Sequence, residues 1–110
     1  MHRLDLATSG LLVLAKTKSA AANLSIQFAD RTVQKTYTAL LEGIPESQQG
    51  PIIDYPVGDK RAITEWKMLE RVETTKGSCA LVRFYPKTGR KHQLRQHAVS
   101  VHCVLSSCAV

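Results

Sequence analysis

A chain of 110 residues suits one domain with a core of its own, so disulfides are not required for its stability. The net charge of +6 and an isoelectric point near 9.5 favour a polyanionic partner such as nucleic acid, although solubility alone accounts for modest basicity in many proteins. Three cysteines without a C-x-x-C pair fit reduced thiols better than a disulfide framework, so we expect an intracellular, reducing compartment, first the cytoplasm. No apolar run approaches the roughly 18 residues of a membrane helix, and no secretory signal follows Met1.

The chain opens on a short motif that leads into an apolar run. Arg3 and Asp5 precede a Thr-Ser-Gly turn at 8–10, and the apolar residues 11–15 behind that turn predict a buried strand. Asp5 would then lie at the junction of a loop and a strand, where a rigid element can hold a catalytic carboxylate. The alternative is that Asp5 only shapes the turn by bonding nearby backbone N–H groups.

The next two segments predict a helix and a strand. Residues 17–30 predict a helix that packs on a sheet through Ala21, Leu24 and Phe28, with an N-cap oxygen from position 17 or 19. Residues 32–42 predict a strand whose odd-numbered residues, including Tyr37, share one face.

The second half of the chain predicts three more strands and a second helix. A short edge strand is expected at 52–57, followed by a turn at 58–61, a strand at 62–72, a hairpin connection at 73–78 and a strand at 79–85. Residues 90–101 predict a helix with Leu94, Ala98 and Val101 as its core stripe. Several antiparallel strands with two helices indicate the α+β class.

Three ordered segments of the chain carry motifs. Residues 2–5 read His-Arg-Leu-Asp, followed by Thr-Ser-Gly-Leu-Leu at 8–12; residues 35–40 read Lys-Thr-Tyr-Thr-Ala-Leu; and residues 88–97 read Thr-Gly-Arg-Lys-His-Gln-Leu-Arg-Gln-His. Together they resemble the RluA-type RNA pseudouridine synthases over most of residues 2–98. The resemblance implies a mixed, mainly antiparallel sheet flanked by helices. It also implies isomerisation of uridine to pseudouridine in structured ribosomal or transfer RNA.

The same resemblance implies three catalytic residues. Asp5 matches the family's catalytic aspartate, and Arg95 matches the arginine that pairs with it, lowering the carboxyl pKa and orienting the group. Tyr37 matches the tyrosine whose ring stacks on the uracil and whose hydroxyl can accept the C5 proton. Without the motifs, Arg95 is ordinarily a solvated helix charge and Tyr37 a half-buried core residue. The sequence leaves open whether Asp5 attacks the ribose or the base, or removes a ribose proton.

The resemblance further implies residues that bind the RNA. Because a stacked base cannot be reached, the nucleotide must be flipped out, and Arg3 is expected to fill the vacated stack and hold a phosphate. A simple surface ion pair is the alternative for Arg3. Leu94 is expected to line the pocket. Phosphate contacts are expected from four residues: Lys35, Arg90, Lys91 and His92. The reaction needs no cofactor or metal, and we expect a monomer whose partner is RNA, without membrane contact.

Two other kinds of site fit the sequence poorly. A zinc site would draw on His92, His97, His102, Cys103 and Cys108. Spacings of five residues turn successive helix ligands about 140° apart, and two cysteines five apart miss the usual zinc-knuckle spacing. A Cys79 nucleophile has no supporting motif, and a small buried strand residue is the ordinary interpretation.

The resemblance ends near Ala98. The family continues with an H-P-x-x-G-D segment and a closing strand, from which the tail at 99–110 departs, and it has further strands ahead of the first motif. We therefore interpret residues 1–110 as one partial catalytic domain with unpaired sheet edges. An inactive fragment or a non-catalytic RNA-binding remnant is the alternative, and an organelle is the alternative location if further chain precedes Met1.

Overall fold

The computed structural model describes residues 2–45, 52–101 and 103–109, with the backbone alone at 104 and 106–109. Within these residues, six strands and two helices occur in the order β1 (Thr8–Ser9), α1 (Lys18–Ala29), β2 (Tyr37–Glu42), β3 (Ile53–Asp54), β4 (Ile63–Thr74), β5 (Gly77–Pro86), α2 (Gln93–Ser100) and β6 (Val104–Ala109). The strands form one sheet in the order β1-β6-β2-β5-β4-β3. Only the β1–β6 pair is parallel among these strands, so the α+β class with a mixed, mainly antiparallel sheet is confirmed.

The β4–β5 hairpin forms the centre of the core. Its alternating pattern was predicted correctly, because Ala62, Thr64 and Trp66 are buried on one face while their neighbours are not. Trp66 lies opposite Phe84 across the hairpin, and Phe84 is fully buried. These large side chains pack with those of β2, α2 and Cys103 into one cluster, which makes this face of the sheet the main apolar contribution to stability.

Helix α2 covers this face, and its predicted stripe is confirmed. Ala98 is fully buried, and Leu94 and Val101 pack partly buried against the core. The helix begins at Gln93 rather than at the predicted residue 90. The reason is that His92 has the left-handed backbone angle φ 53°, which cannot continue as a right-handed helix.

The predicted strand at 11–15 is wrong. Residues 11–15 have no strand assignment, and Leu11 and Leu14 are 76% and 75% exposed. The neighbouring strand β1 is only two residues long and pairs with β6, so within the described ranges this apolar run has no strand beside it. An apolar run forms a buried strand only when a partner supplies its hydrogen bonds and covers its side chains.

Helix α1 has the predicted extent but not the predicted packing. Thr17 is the N-cap, since its Oγ1 accepts a hydrogen bond from the Ala20 N–H at 3.1 Å. None of the helix's 12 residues, all described, is buried, although the predicted face with Leu24 and Phe28 is the less exposed one. The expected burial against the sheet is therefore wrong, and a stacking contact between Phe28 and His2 holds the helix instead.

Three further predictions are adjusted by strand pairing. The strand predicted at 32–42 begins only at Tyr37, which is the first residue of β2 to pair with β5. The edge strand predicted at 52–57 is confirmed as β3, the two residues Ile53–Asp54. The tail, which departs from the family motif, supplies β6 between β1 and β2, so both sheet edges in the described chain are strands of only two residues.

Neither helix of the described segments is long and apolar enough to cross a membrane.

We expect Phe84→Ala to lower the free energy of unfolding by about 3–5 kcal/mol, because it removes a fully buried ring and leaves a cavity. The matched change Leu14→Ala removes an exposed apolar side chain and is expected to stay within about 0.5 kcal/mol of the unaltered chain. Urea unfolding measures both. A Leu14→Ala cost as large as that of Phe84→Ala would show that the apolar run is buried.

Candidate active site

One cavity of about 480 Å³ lies where the segment 2–5, the start of β2 and the segment 86–95 meet. All nine residues proposed from the sequence line it: Arg3, Asp5, Lys35, Tyr37, Arg90, Lys91, His92, Leu94 and Arg95. The three sequence motifs, far apart along the chain, are therefore brought to a single concave surface. This is the arrangement expected of an active site, where a few polar groups converge on one pocket.

Asp5 lies in a turn at the edge of this cavity. Its backbone carbonyl accepts a hydrogen bond from the Thr8 N–H at 2.9 Å, which closes the turn ahead of β1. Its side chain is 44% exposed, and one carboxylate oxygen lies 3.9 Å from His92 Nε2. The turn is thus closed by the backbone of Asp5, and the carboxylate stays directed to the cavity, contrary to the turn-former alternative.

The ion pair predicted between Arg95 and Asp5 is not formed in this structure. Within the described ranges, the basic side chain nearest the Asp5 carboxylate is His92, the N-cap residue of α2. Arg95 lies three residues after His92 in the helix, is exposed, and lines the same cavity. The two residues therefore share a cavity without direct pairing, because the left-handed start of α2 brings the imidazole to the carboxylate.

Tyr37 and Leu94 join the cavity to the hydrophobic core. Both are partly buried, pack against the core cluster and line the cavity. For Tyr37 this position fits a platform for a planar base as well as the core residue that it would ordinarily be. The apolar floor of the cavity is consequently continuous with the hydrophobic core.

Gln93 fixes the loop that carries the cationic residues. Its buried carboxamide oxygen accepts hydrogen bonds from the Thr88 hydroxyl at 2.6 Å and from the Arg90 N–H at 3.1 Å. Its Nε2 donates to the Ile63 carbonyl at 3.0 Å and to Thr64 Oγ1 at 2.9 Å. Both donors and both acceptor positions of the amide are used, so the loop is tied to β4 by a satisfied buried group.

His97 continues this chain of hydrogen bonds. The Thr64 hydroxyl, which accepts from Gln93, donates to His97 Nδ1 at 2.8 Å, and His97 Nε2–H donates to the Tyr55 carbonyl at 2.8 Å. Burial lowers the pKa of His97 and outweighs the opposing effects of the Tyr55 carbonyl and Asp54, which favours the neutral ring. Both ring nitrogens are engaged, so His97 has no free nitrogen for the zinc alternative.

His2 anchors the opposite wall of the cavity. Its Nε2 accepts a hydrogen bond from the Val13 N–H at 2.9 Å, and its ring stacks on Phe28 with centroids 4.6 Å apart and planes at 15°. These two contacts connect the segment of Asp5 to the apolar run and to α1. His2, Gln93 and Thr88 stand inside the three motifs without a role predicted from them. The burial of Gln93 and Thr88 and the contacts of His2 reveal their roles, and neither can be inferred from the motif itself.

The cavity is strongly cationic. Five of its lining residues are Lys or Arg, namely Arg3, Lys35, Arg90, Lys91 and Arg95, and Asp5 is the acidic one. Burial lowers the pKa of Lys35, and the nearby charge of Arg31 lowers it further. Arg90 is held in place, since its Nε donates to the Arg61 carbonyl at 3.0 Å. A polyanion is the ligand that such a surface attracts.

Comparison with known proteins identifies the family. The family model described as RNA pseudouridylate synthase matches residues 1–100. The chain belongs to this family. It is 43% identical to an uncharacterized RNA pseudouridine synthase of Zymomonas mobilis, covering 91% of this chain and 51% of that protein. It is 35% identical to the dual-specificity RNA pseudouridine synthase RluA of Haemophilus influenzae, again covering 91% of this chain and 51% of the relative.

A solved structure supports the same fold. The human RNA pseudouridylate synthase domain containing 1 superimposes with a TM-score of 0.85 at 29% identity, covering 94% of this chain and 51% of that one. The chain thus spans about half the length of each of these three proteins. Membership of the pseudouridylate synthase family confirms the resemblance drawn from the three motifs.

We expect the stability of this chain to fall as the pH drops below about 6.5, because the folded-state pKa of His97 is below the ordinary value. The unfolded chain then binds a proton that the folded chain resists. The contribution of the neutral His97 ring to stability is therefore complete above the pKa of His97 in the unfolded chain. It is lost as the pH falls towards the lower pKa of His97 in the folded chain. Urea midpoints between pH about 7.5 and about 5.5 measure this loss.

His97→Gln, which keeps a donor for the Tyr55 carbonyl but does not titrate, should flatten the dependence of the urea midpoint on pH. An unaltered chain that gains stability on acidification over this range would contradict the buried neutral ring.

Proposed function

We propose that this chain carries the catalytic centre of an RNA pseudouridine synthase, which isomerises specific uridines in structured ribosomal or transfer RNA. The observation that carries the proposal is that Asp5, Tyr37 and Arg95 line one cationic cavity in a chain of this family. The cavity offers a carboxylate, an aromatic surface and phosphate-binding cations together, which are the groups that the reaction requires.

The proposed chemistry places Asp5 at the reacting nucleotide. The N-glycosidic bond of uridine breaks, the uracil turns, and its C5 is joined to the ribose, so substrate and product have the same atoms. Asp5 either attacks the ribose or the base, or removes a ribose proton as the base departs. We propose that the Tyr37 ring, which lines the cavity, supports the detached uracil and that its hydroxyl accepts the C5 proton.

Arg95 is proposed to pair with Asp5 once RNA fills the cavity. Both side chains are exposed and line the same cavity, so the proposed pairing requires them to approach each other across it. Contacts in an active site are commonly looser before the substrate binds. The pairing would free His92 from the carboxylate, which suits its proposed role as a phosphate contact beside Lys35, Arg90 and Lys91.

Arg3 is proposed to take the place of the flipped nucleotide. It is exposed, lies two residues from Asp5 and lines the same cavity. A planar guanidinium can stack on the bases left behind and hold a phosphate at the same time. This would offset part of the cost of a few kcal/mol that extrusion of the base requires.

We expect Asp5→Asn to abolish pseudouridine formation and to leave RNA binding nearly intact, because the carboxylate performs chemistry and contributes little to anchoring. The purified chain would be incubated with unmodified cellular RNA, and pseudouridine would be mapped by chemical derivatisation and primer extension. Asp54→Asn is the matched control, since it makes the same change at an exposed aspartate that pairs with Arg61 outside the cavity.

Each result has a definite meaning. Site-specific product with the unaltered chain and the control, but not with Asp5→Asn, supports the function and names the RNA. Undiminished turnover by Asp5→Asn would remove Asp5 from the chemistry. RNA binding by the unaltered chain without any product would favour the non-catalytic RNA-binding remnant.

A further inference from the structure

A second, smaller cavity adjoins the active-site cavity. It has a volume of about 200 Å³ and is lined by seven residues: Phe28, Arg31, Lys35, Lys87, Thr88, Gly89 and Arg90. Five of them also line the larger cavity, so the two share a wall. Arg31 and Lys87 belong to the small cavity alone. Four of its seven lining residues are cationic and none is acidic, so it is a concentrated positive site immediately beside the proposed reaction centre.

The positive charges of this cavity are only partly neutralised by neighbouring carboxylates. Lys87 Nζ lies 3.5 Å from a Glu65 carboxylate oxygen, but neither Arg31 nor Lys35 makes an ion pair within the described ranges of the chain. The charge of Arg31 disfavours the protonated form of the half-buried Lys35. Two like charges close enough to repel each other are stabilised when an anion binds between them.

The backbone of Arg31 is strained in a way that places its side chain here. Helix α1 ends in a Schellman motif, with hydrogen bonds from the Arg31 N–H to the Phe28 carbonyl at 3.2 Å and from the Thr32 N–H to the Gln27 carbonyl at 3.0 Å. Arg31 occupies the left-handed position of this motif at φ 58°, where glycine is the usual residue. A non-glycine residue at such a position costs conformational free energy, and strain of this kind is concentrated at functional sites.

We propose that the small cavity is a phosphate site for RNA, which holds a phosphodiester next to the nucleotide in the active-site cavity. Arg31 and Lys35 supply the charge-assisted hydrogen bonds, and Lys87 and Arg90 add positive charge to the same cavity. The strained backbone of Arg31 is retained because glycine would end the helix more favourably but would remove the guanidinium. This site rests on the proposed function, since it positions the RNA strand that enters the active-site cavity.

The decisive variant is Arg31→Gly, which is expected to maintain or raise the stability of the fold while it lowers the affinity for RNA. Relief of the left-handed strain should leave the melting temperature unchanged or raised. Loss of the guanidinium should weaken binding of a fluorescein-labelled oligouridylate by about tenfold. It should also reduce the slope of log affinity against log salt by about 0.7, the value for one phosphate contact to a single strand. The matched control is Arg71→Gln, which removes one positive charge beside Glu73 on β4, outside every cavity described above.

The outcomes separate this site from the proposed function. Weaker binding and a smaller slope for Arg31→Gly, with Arg71→Gln unchanged, support the phosphate site. Equal affinity and slope in all three proteins would overturn it while leaving the active site untouched. A melting temperature that inorganic phosphate raises in the unaltered chain but not in Arg31→Gly, without loss of RNA affinity, would mean a site for free anions and would also overturn it. No RNA binding by the unaltered chain would overturn the site and the proposed function together.

Discussion

A buried chain of hydrogen bonds from Thr88 through Gln93 and Thr64 to His97 connects the cationic loop and helix α2 to strand β4. All of its groups lie in the interior, where an unpaired donor or acceptor is costly and a paired one is strengthened by the low dielectric constant. The loop therefore cannot shift without leaving several polar groups unpaired. One wall of the proposed active-site cavity is preorganised by this constraint, and the positions of Arg90, Lys91, His92 and Arg95 follow from it.

The wall that carries Asp5 is held by fewer contacts. It depends on one backbone turn, on the hydrogen bond between His2 and Val13, and on the stacking of His2 against Phe28. The helix and the apolar run that His2 connects are themselves exposed, so little burial stabilises this side. The carboxylate thus belongs to the more adjustable half of the site and the cations to the rigid half. That division fits the proposed exchange, in which the Asp5 carboxylate leaves His92 and pairs with Arg95 when RNA binds.

The sequence predicted those features that depend on local periodicity and missed those that depend on a distant partner. The alternation of Ala62, Thr64 and Trp66 was readable because a half-buried strand repeats every two residues. The run at 11–15 was misread because apolar character alone does not reveal whether a strand lies beside it. The motifs predicted nine residues that line one cavity in the structure. They did not predict the approach of His92 to Asp5, because it depends on the left-handed backbone angle of His92. Likewise, the sequence shows only that Gln93 and His97 are polar residues, and their burial in the structure shows that they support the site.

The two non-glycine residues with left-handed backbones in the described chain, Arg31 and His92, stand at helix ends and on the walls of these cavities. Arg31 follows the C-terminal end of α1, where glycine is preferred, and His92 is the N-cap of α2, where Ser, Thr, Asp or Asn is preferred. Each strained position directs a basic side chain towards the surface proposed to meet phosphates. The same backbone angles that lower the stability of the helix ends therefore create the charge density of the site. Fold stability and affinity for a polyanion are in tension here, and a substitution that relaxes the backbone at either position removes a cation from the proposed RNA path.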